Sequence, residues 1–410
     1  MRVLITDGNE RVTLAAARSL VRAGHEVTVT ARRHWSLAGS SRGVRSHALR
    51  ADPLADPRGY VAELARLARE QRIDLLLPMT DPSVEAMLEH QGLLPAGTAV
   101  PGPDLTTYRA ASDKAQVLEL ARAVGLAGPD TRVIAAPGAG ARSPDFTDLF
   151  PAVIKPHRSV VTAQGLRRKL AVVPVADAAA CDAALAALPA EAYPVLLQQQ
   201  ITGPGEGLFA LRWDGRVVAM FAHRRLREKP PAGGVSVYRE SIALPPELVR
   251  AGVRLLDALD WRGVAMIECK RDERTGKHVL MEINGRFWGS LQLAIDAGVD
   301  FPDLLVRCAS GEKVPLCHIY RSGVRSRWFW GDVDNFLLRL RDRGRRRGAV
   351  RDFLRASVQR GEGEVFRLSD PLPFLVESLQ WVGLLTRGRA GAKPRSRAAP
   401  TECVPGSAVP

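Results

Sequence analysis

Short apolar runs alternate with longer stretches of helical spacing over the first hundred residues. Residues 3–6 are a compact apolar run that breaks at Asp7-Gly8-Asn9. Leu14, Ala17, Leu20 and Val21 then recur at the interval of one helix face, closed by Gly24. Residues 27–30 read as a second strand, about 60–71 as a helix, and 73–77 as a third, buried strand. This alternation predicts a parallel, Rossmann-like sheet. Its first turn, Asp7-Gly8-Asn9-Glu10-Arg11-Val12, lacks the Gly-x-Gly-x-x-Gly spacing that lets a backbone approach a pyrophosphate. Residues 1–103 are therefore expected to serve structure and substrate, not a dinucleotide.

From residue 104 the pattern changes. It predicts a helix over 112–124, short strands at 131–135, 152–155 and 170–173, and an Ala-rich helix over 176–188. Further strands follow at 195–200, 208–213, 217–222, 264–270 and 278–284, with a covering helix over 246–259 and another from Leu291. A small sheet thus precedes a larger, mainly antiparallel one. Beyond 320, helical patterns at 334–343 and 350–358 flank Gly344-Arg345-Arg346-Arg347-Gly348, and 374–385 is a short apolar helix. Residues 387–410 are rich in Arg, Pro, Ala and Gly and are expected to be disordered. No internal repeat is present.

The stretch richest in chemistry is the hairpin of 264–270 and 278–284, joined by a turn at Asp272–Gly276. Folding about that turn sets Glu268 nearly opposite Glu282, and the period of two puts Glu282 and Asn284 on one face. The acids either face solvent on a surface hairpin or converge on a metal. Their setting in Met-Ile-Glu268-Cys and Leu-Met-Glu282-Ile-Asn284 favours the metal, because acids among apolar residues are costly unless paired. An all-oxygen set of two carboxylates and a carboxamide suits Mg²⁺, with Mn²⁺ as its near substitute. Arg286 follows directly, with donors shaped for a phosphoryl group or carboxylate.

Two lysines stand out in a chain that prefers Arg. Lys114 opens a helix and Lys155 ends a strand, where a compact ammonium can reach phosphate oxygens. The strand 195–200 runs through Gln198, Gln199, Gln200 and Ile201 into a turn between the two sheets, a place for a flat base. Glu206, seven residues after Gln199, is either a solvated loop acid or an acceptor for ribose hydroxyls. Within 221–241, Arg224 and Arg239 are the candidate contacts to an anionic substrate, with Ser236 as a loop donor.

Taken in order, these elements resemble the ATP-grasp superfamily over about residues 104–312, and most nearly the carbamoyl-phosphate synthase large chain and related carboxylate–amine ligases. The resemblance implies α/β and α+β architecture. A Rossmann-like pre-grasp domain (1–103) would be followed by a two-lobed ATP-grasp domain (small lobe 104–190, large lobe 191–320), a helical basic extension (321–386) and a tail (387–410). It implies ATP and Mg²⁺ as cofactors: Lys114 and Lys155 on phosphates, Gln198 to Ile201 around adenine and Glu206 on ribose. Glu268, Glu282 and Asn284 would hold metal, with Arg286 at the transferring phosphoryl group. The activity implied is an ADP-forming ligase that activates a small carboxylate as an acyl phosphate for an amine or other nucleophile. A phosphotransferase or carboxylase on the same fold, or a non-catalytic Mg·ATP-binding module, are the alternatives. The sequence departs from the family where Gly285 replaces Pro and Gly289 replaces a second Arg. The flap His157-Arg158-Ser159-Val160-Val161-Thr162 is poor in glycine, with Gly only at 165.

Composition adjusts this picture at the margins. The net charge is +14, but residues 321–410 hold 18 Lys/Arg against 9 Asp/Glu, so the basicity is mostly C-terminal. The C-terminal helices are read first as packing or a lid, then as an anionic-membrane contact; no nucleic-acid motif supports a third reading. Five scattered cysteines without a paired spacing, no secretory signal and no spanning apolar run predict a cytoplasmic protein.

Overall fold

The computed structural model describes residues 1–390 apart from 138–143, 158–159, 164–165, 171, 232, 343–345 and 359–360. The first part contains β1 (Arg2–Ile5), α1 (Arg11–Arg22), β2 (Glu26–Ala31), β3 (Val44–Ala48), α2 (Pro57–Gln71), β4 (Leu75–Leu77) and α3 (Asp81–Glu89). Its strands pair in parallel in the order β3-β2-β1-β4. Helices cover the central strands, so Val3, Leu4, Ile5, Leu75 and Leu76 are fully buried and read as continuous apolar runs. Edge strand β3, with the half-exposed sequence Val-Arg-Ser-His-Ala, has no such signal.

Next come α4 (Leu105–Ser112), which the sequence pattern does not predict, and α5 (Lys114–Ala123), which is the helix predicted over 112–124. Asp113 divides them: its backbone is extended and its carboxylate accepts from the N–H groups of Ala115 and Gln116. The small lobe follows, with β5 (Thr131–Ile134), β6 (Ala152–Pro156), β7 (Val160–Ala163), β8 (Leu166–Lys169), β9 (Val173–Val175), α6 (Ala178–Ala186) and β10 (Val195–Gln199). Its sheet runs β5-β10-β6-β9, and β7-β8 forms a separate hairpin. Strand β10, grouped by sequence with the large lobe, pairs with β5 and β6 instead. Of the flap, Arg158, Ser159 and Gly165 lie outside the described residues.

The large sheet is built from β11 (Gly205–Trp213), β12 (Arg216–Lys229) and β13 (Val235–Ser241). After α7 (Pro246–Ala258) it adds β14 (Gly263–Arg271) and β15 (His278–Asn284). Then come α8 (Leu291–Ala297), α9 (Phe301–Ala309), β16 (Arg325–Arg327), α10 (Phe329–Arg341), α11 (Arg346–Val358), β17 (Glu362–Gly363) and α12 (Leu372–Ala390). The sheet order is β15-β14-β11-β12-β13-β16-β17. Strand β12 continues seven residues past Ala222, where the apolar pattern stops. Its cationic second half is tolerated because partners meet each charge: Arg225 faces Glu268, Arg227 faces Asp332 and Lys229 faces Asp334.

The C-terminal segment is integrated rather than appended. Two of its strands join the large sheet, and ion pairs tie it to the first domain: Arg11–Glu364 at 2.6 Å and Arg18–Asp370 at 2.8 Å. Helix α12 continues to Ala390, into the stretch expected to be disordered; residues 391–410 lie outside the described ones. One apolar core unites α1, β1 and β2 with α8, α9 and one face of β11 and β12, so the first domain and the large lobe share packing. The small lobe has its own core around Ile154, Val195 and Leu197.

Candidate active site

Strands β14 and β15 place Glu268 directly opposite Glu282 and Met266 opposite Asn284. On the same sheet face β11 sets Gly207 opposite Glu268, and β12 sets His223 opposite Gly207. Arg225, two residues on, shares that face. Gly205 makes its reach possible: a Cβ there would lie 2.7 Å from the Cδ of Arg225. The Arg225 guanidinium crosses β11 to the carboxylate of Glu268 at 2.8 Å, and also meets Glu228 at 3.4 Å.

Cations from the other parts close on the same acids. Lys114 Nζ, at the first position of α5, lies 3.5 Å from Glu282. Lys155 comes from β6 of the small lobe; burial pulls its ammonium down while Glu282 opposes the shift. Burial would raise the Glu282 carboxyl, but Lys114 and Lys155 outweigh it and hold the group below its ordinary value. Lys270, farther along β14, donates to the carbonyl of Ile201 at 2.9 Å. Asn284 donates from Nδ2 to Glu282 at 3.1 Å, and Arg286 donates to Asn284 Oδ1 at 3.1 Å. Arg286 is itself gripped by Asp81 at the start of α3, through two bonds of 2.8 and 2.9 Å. Tyr108 of α4 donates to the same aspartate at 3.2 Å.

Beside the acids lies a cavity of about 280 Å³ walled by His223, Arg225, Ser236, Arg239, Trp288 and Ser290 among others. Arg239 is buried and paired with Glu364 of the C-terminal segment; burial brings its guanidinium down to about 10. His223 stacks on Phe209 and its Nε2 lies 2.9 Å from Ser290 Oγ. Burial, then Arg225 and Arg239, push its pKa well below the usual imidazole value, so the ring is neutral.

The structure thus gathers Lys114, Lys155, Glu268, Glu282, Asn284 and Arg286, and sets Arg239 in the adjoining cavity wall. Two candidates fall elsewhere. Arg224 lies on the opposite face of β12, half exposed and bonded to Glu240 at 2.8 Å; Arg225 takes the position facing the acids. Glu206 opposes Arg224 and Cys269, so it too is on the far face, buried 2.7 Å from His278 Nε2. That placement removes it from the ribose role. Gln198 is buried with its amide on Thr131, while Gln199, Gln200 and Ile201 are partly exposed where the chain crosses between sheets. Asp81, Arg225 and Lys270 are contributors that sequence reading missed. The period of two, carried past Ala222 along β12, would have selected Arg225 over Arg224; nothing local marks Asp81.

The donor set matches a metal shared with a ligand. Among the described residues no group of three or more His, Cys, Asp or Glu gathers as a protein-only metal site. Two facing carboxylates and a carboxamide, ringed by cations, suit a Mg²⁺ that completes its shell with phosphate oxygens.

Residues 191–329 match the family described as "ATP-grasp in the biosynthetic pathway with Ter operon". No curated protein matches the chain by sequence. Among solved structures, Rhizobium etli pyruvate carboxylase superposes with a TM-score of 0.58 at 17% identity over 76% of this chain; the match spans only 28% of that enzyme. L-amino acid ligase from Bacillus licheniformis gives 0.55 at 18% identity, covering 75% of this chain and 73% of its own. The biotin carboxylase domain of Hydrogenobacter thermophilus 2-oxoglutarate carboxylase, solved with MgADP, ADP and bicarbonate, gives 0.59 at 15%, covering 79% and 73%. With the family match over residues 191–329 and these likenesses over about three quarters of its length, the chain has the ATP-grasp fold.

Proposed function

We propose that the protein is an ADP-forming ligase that activates a small carboxylate with Mg·ATP and passes the acyl group to an amine or another nucleophile. The observation that carries this reading is the facing pair Glu268 and Glu282, met by Lys114, Lys155 and Arg225 from three different elements.

ATP would lie between the lobes, its base by Gln199, Gln200 and Ile201, and its phosphates along Lys114 and Lys155. Glu268, Glu282 and Asn284 would hold Mg²⁺, which would supply charge neutralisation to the phosphates there. The substrate carboxylate would enter the cavity beside Arg239 and Ser236. One of its oxygens attacks the γ-phosphorus, and the bond to ADP breaks with its electron pair leaving on ADP. Arg286, held by Asp81, covers the charge on the phosphoryl oxygens. The nucleophile then bonds to the acyl carbon, sheds its proton, and phosphate leaves.

The test is ADP release with Mg·ATP against panels of amino acids and other small carboxylic acids, alone and in pairs. An active acid carrying heavy oxygen in its carboxylate should deliver one labelled oxygen to the released phosphate. ADP formation without label transfer would exclude an acyl phosphate. Mg·ATP binding with no turnover for any acid or bicarbonate would instead leave a non-catalytic nucleotide-binding module.

A further inference from the structure

The cavity beside the facing acids has two unlike ends. Glu268 and Glu282 stand on β14 and β15, whereas Arg239 stands on β13, three strands from β14. The wall also carries Trp288, Met266 and the neutral ring of His223.

Acceptors for a cation are scarce here. Among the described residues that line the cavity, Glu268 and Glu282 are the only carboxylates, and cations already meet both. Glu364, which pairs with Arg239, does not line it. Arginines also occupy the neighbouring carbonyls: Arg225 donates to that of Gly234 at 3.3 Å, Arg239 to Ser236 at 3.0 Å and Arg286 to Phe287 at 3.1 Å. The resulting positive field registers at His223, whose proton affinity falls through burial first and then through Arg225 and Arg239. An ammonium group brought against this wall would lose its water and gain no partner.

Donors, by contrast, are left over. The indole N–H of Trp288 and the Nε–H of Arg239 are buried and have no partner among the described residues. Both groups can only donate, and leaving a buried donor unmet is costly. A carboxylate answers both, because it offers several acceptor positions within one group.

We propose that the acid activated in this site is a short dicarboxylate without an ammonium group. One carboxylate reacts at the metal end, and the other lies beside Arg239 and Trp288. The inference rests on the ligase reading and adds to it the class of acid. It sets α-amino acids aside, since their ammonium group finds no acceptor in the wall.

The test is hydroxamate formation by the full chain with Mg·ATP and hydroxylamine. Hydroxylamine nitrogen bonds to the acyl carbon of the acyl phosphate, loses a proton and expels phosphate. Succinate is compared with aspartate, which adds the ammonium group, and with butyrate, which lacks the second carboxylate. Glutarate, glutamate and pentanoate form the longer set. The dicarboxylate of at least one set should exceed both its counterparts by about tenfold or more in kcat/KM. Arg239→Lys keeps a charge for Glu364 but removes Nε, and Trp288→Phe keeps a ring against Phe209 but removes the N–H. Each should raise KM for the dicarboxylate about tenfold, with kcat within about threefold and KM for ATP unchanged. Preference for the amino acid or the monocarboxylate in both sets, or an unchanged KM in both variants, would overturn the inference and leave the ligase reading standing. Hydroxamate from none of these acids would also overturn it; the ligase reading falls with it only if the wider panel of acids releases no ADP.

Discussion

At the scale of single residues, the site works through partners as much as through ligands. The Arg286 guanidinium carries five N–H donors, and the two bonds it donates to Asp81 fix how it meets Asn284. Asp81→Asn removes the charge while keeping the shape. It should lower kcat about tenfold or more and move the affinity for ATP less than about threefold, read by steady-state kinetics beside nucleotide titration. The neighbouring arginines make a sharper contrast. Arg225→Ala strips the partner from Glu268 and should cost about a hundredfold in kcat/KM, whereas Arg224→Ala, on the far face, should stay within about twofold. A large loss for Arg224→Ala with little for Arg225→Ala would mean that β12 is out of register by one residue.

At the scale of elements, what was legible followed from period and what was not followed from charge. The hairpin of β14 and β15 was readable because apolar residues alternate with its acids, and the pairing of Glu268 with Glu282 follows from the turn between them. Strand β13 and the end of β12 were missed because Arg225, Arg227, Lys229 and Arg239 look like a solvated loop until Glu268, Asp332, Asp334 and Glu364 are seen beside them. Those partners lie up to 125 residues away, beyond any local window. Helix α4 was missed for a different reason: over Leu105–Ser112 only Tyr108 and Ala111 are buried, too few to mark a helix face, whereas the helix read over 112–124 is α5. Glu206 was misplaced by the same kind of limit, since spacing from the hinge says nothing about which sheet face a residue takes.

Helix α12 carries its own pH dependence. Burial raises the Glu377 carboxyl to about 7, against the hydrogen bond from Trp328 and the charge of Arg11; Glu364 adds to the rise. A raised folded pKa means that the native state holds the proton longer than the unfolded chain. The resulting stability is complete below about pH 4.5 and is lost as pH climbs through about 7, amounting to at most about 3 kcal/mol. Glu377→Gln should flatten this part of the stability-versus-pH curve measured by urea unfolding. An identical slope in the variant would assign the dependence to other groups.

For the whole molecule, three parts meet at one place: Asp81 from the first domain, Lys155 from the small lobe and the acids from the large sheet. Among the described residues no helix is long and apolar enough to cross a membrane. The first domain and large lobe share a core, while the small lobe has its own. Saturating Mg·ADP, at about a hundred times its dissociation constant, should stabilise the fold by about 2.7 kcal/mol in a thermal melt. Lys155→Ala should lose most of that gain at the same ADP concentration, because the lobes then lack their shared charge contact.

The most direct measurement is calorimetric titration of ADP with and without Mg²⁺, comparing the wild type with Glu268→Gln plus Glu282→Gln. If the facing acids hold the metal against the phosphates, Mg²⁺ should tighten ADP binding by about tenfold or more in the wild type, and the double variant should lose that dependence while still binding ADP. A double variant that keeps the full magnesium dependence would contradict the account.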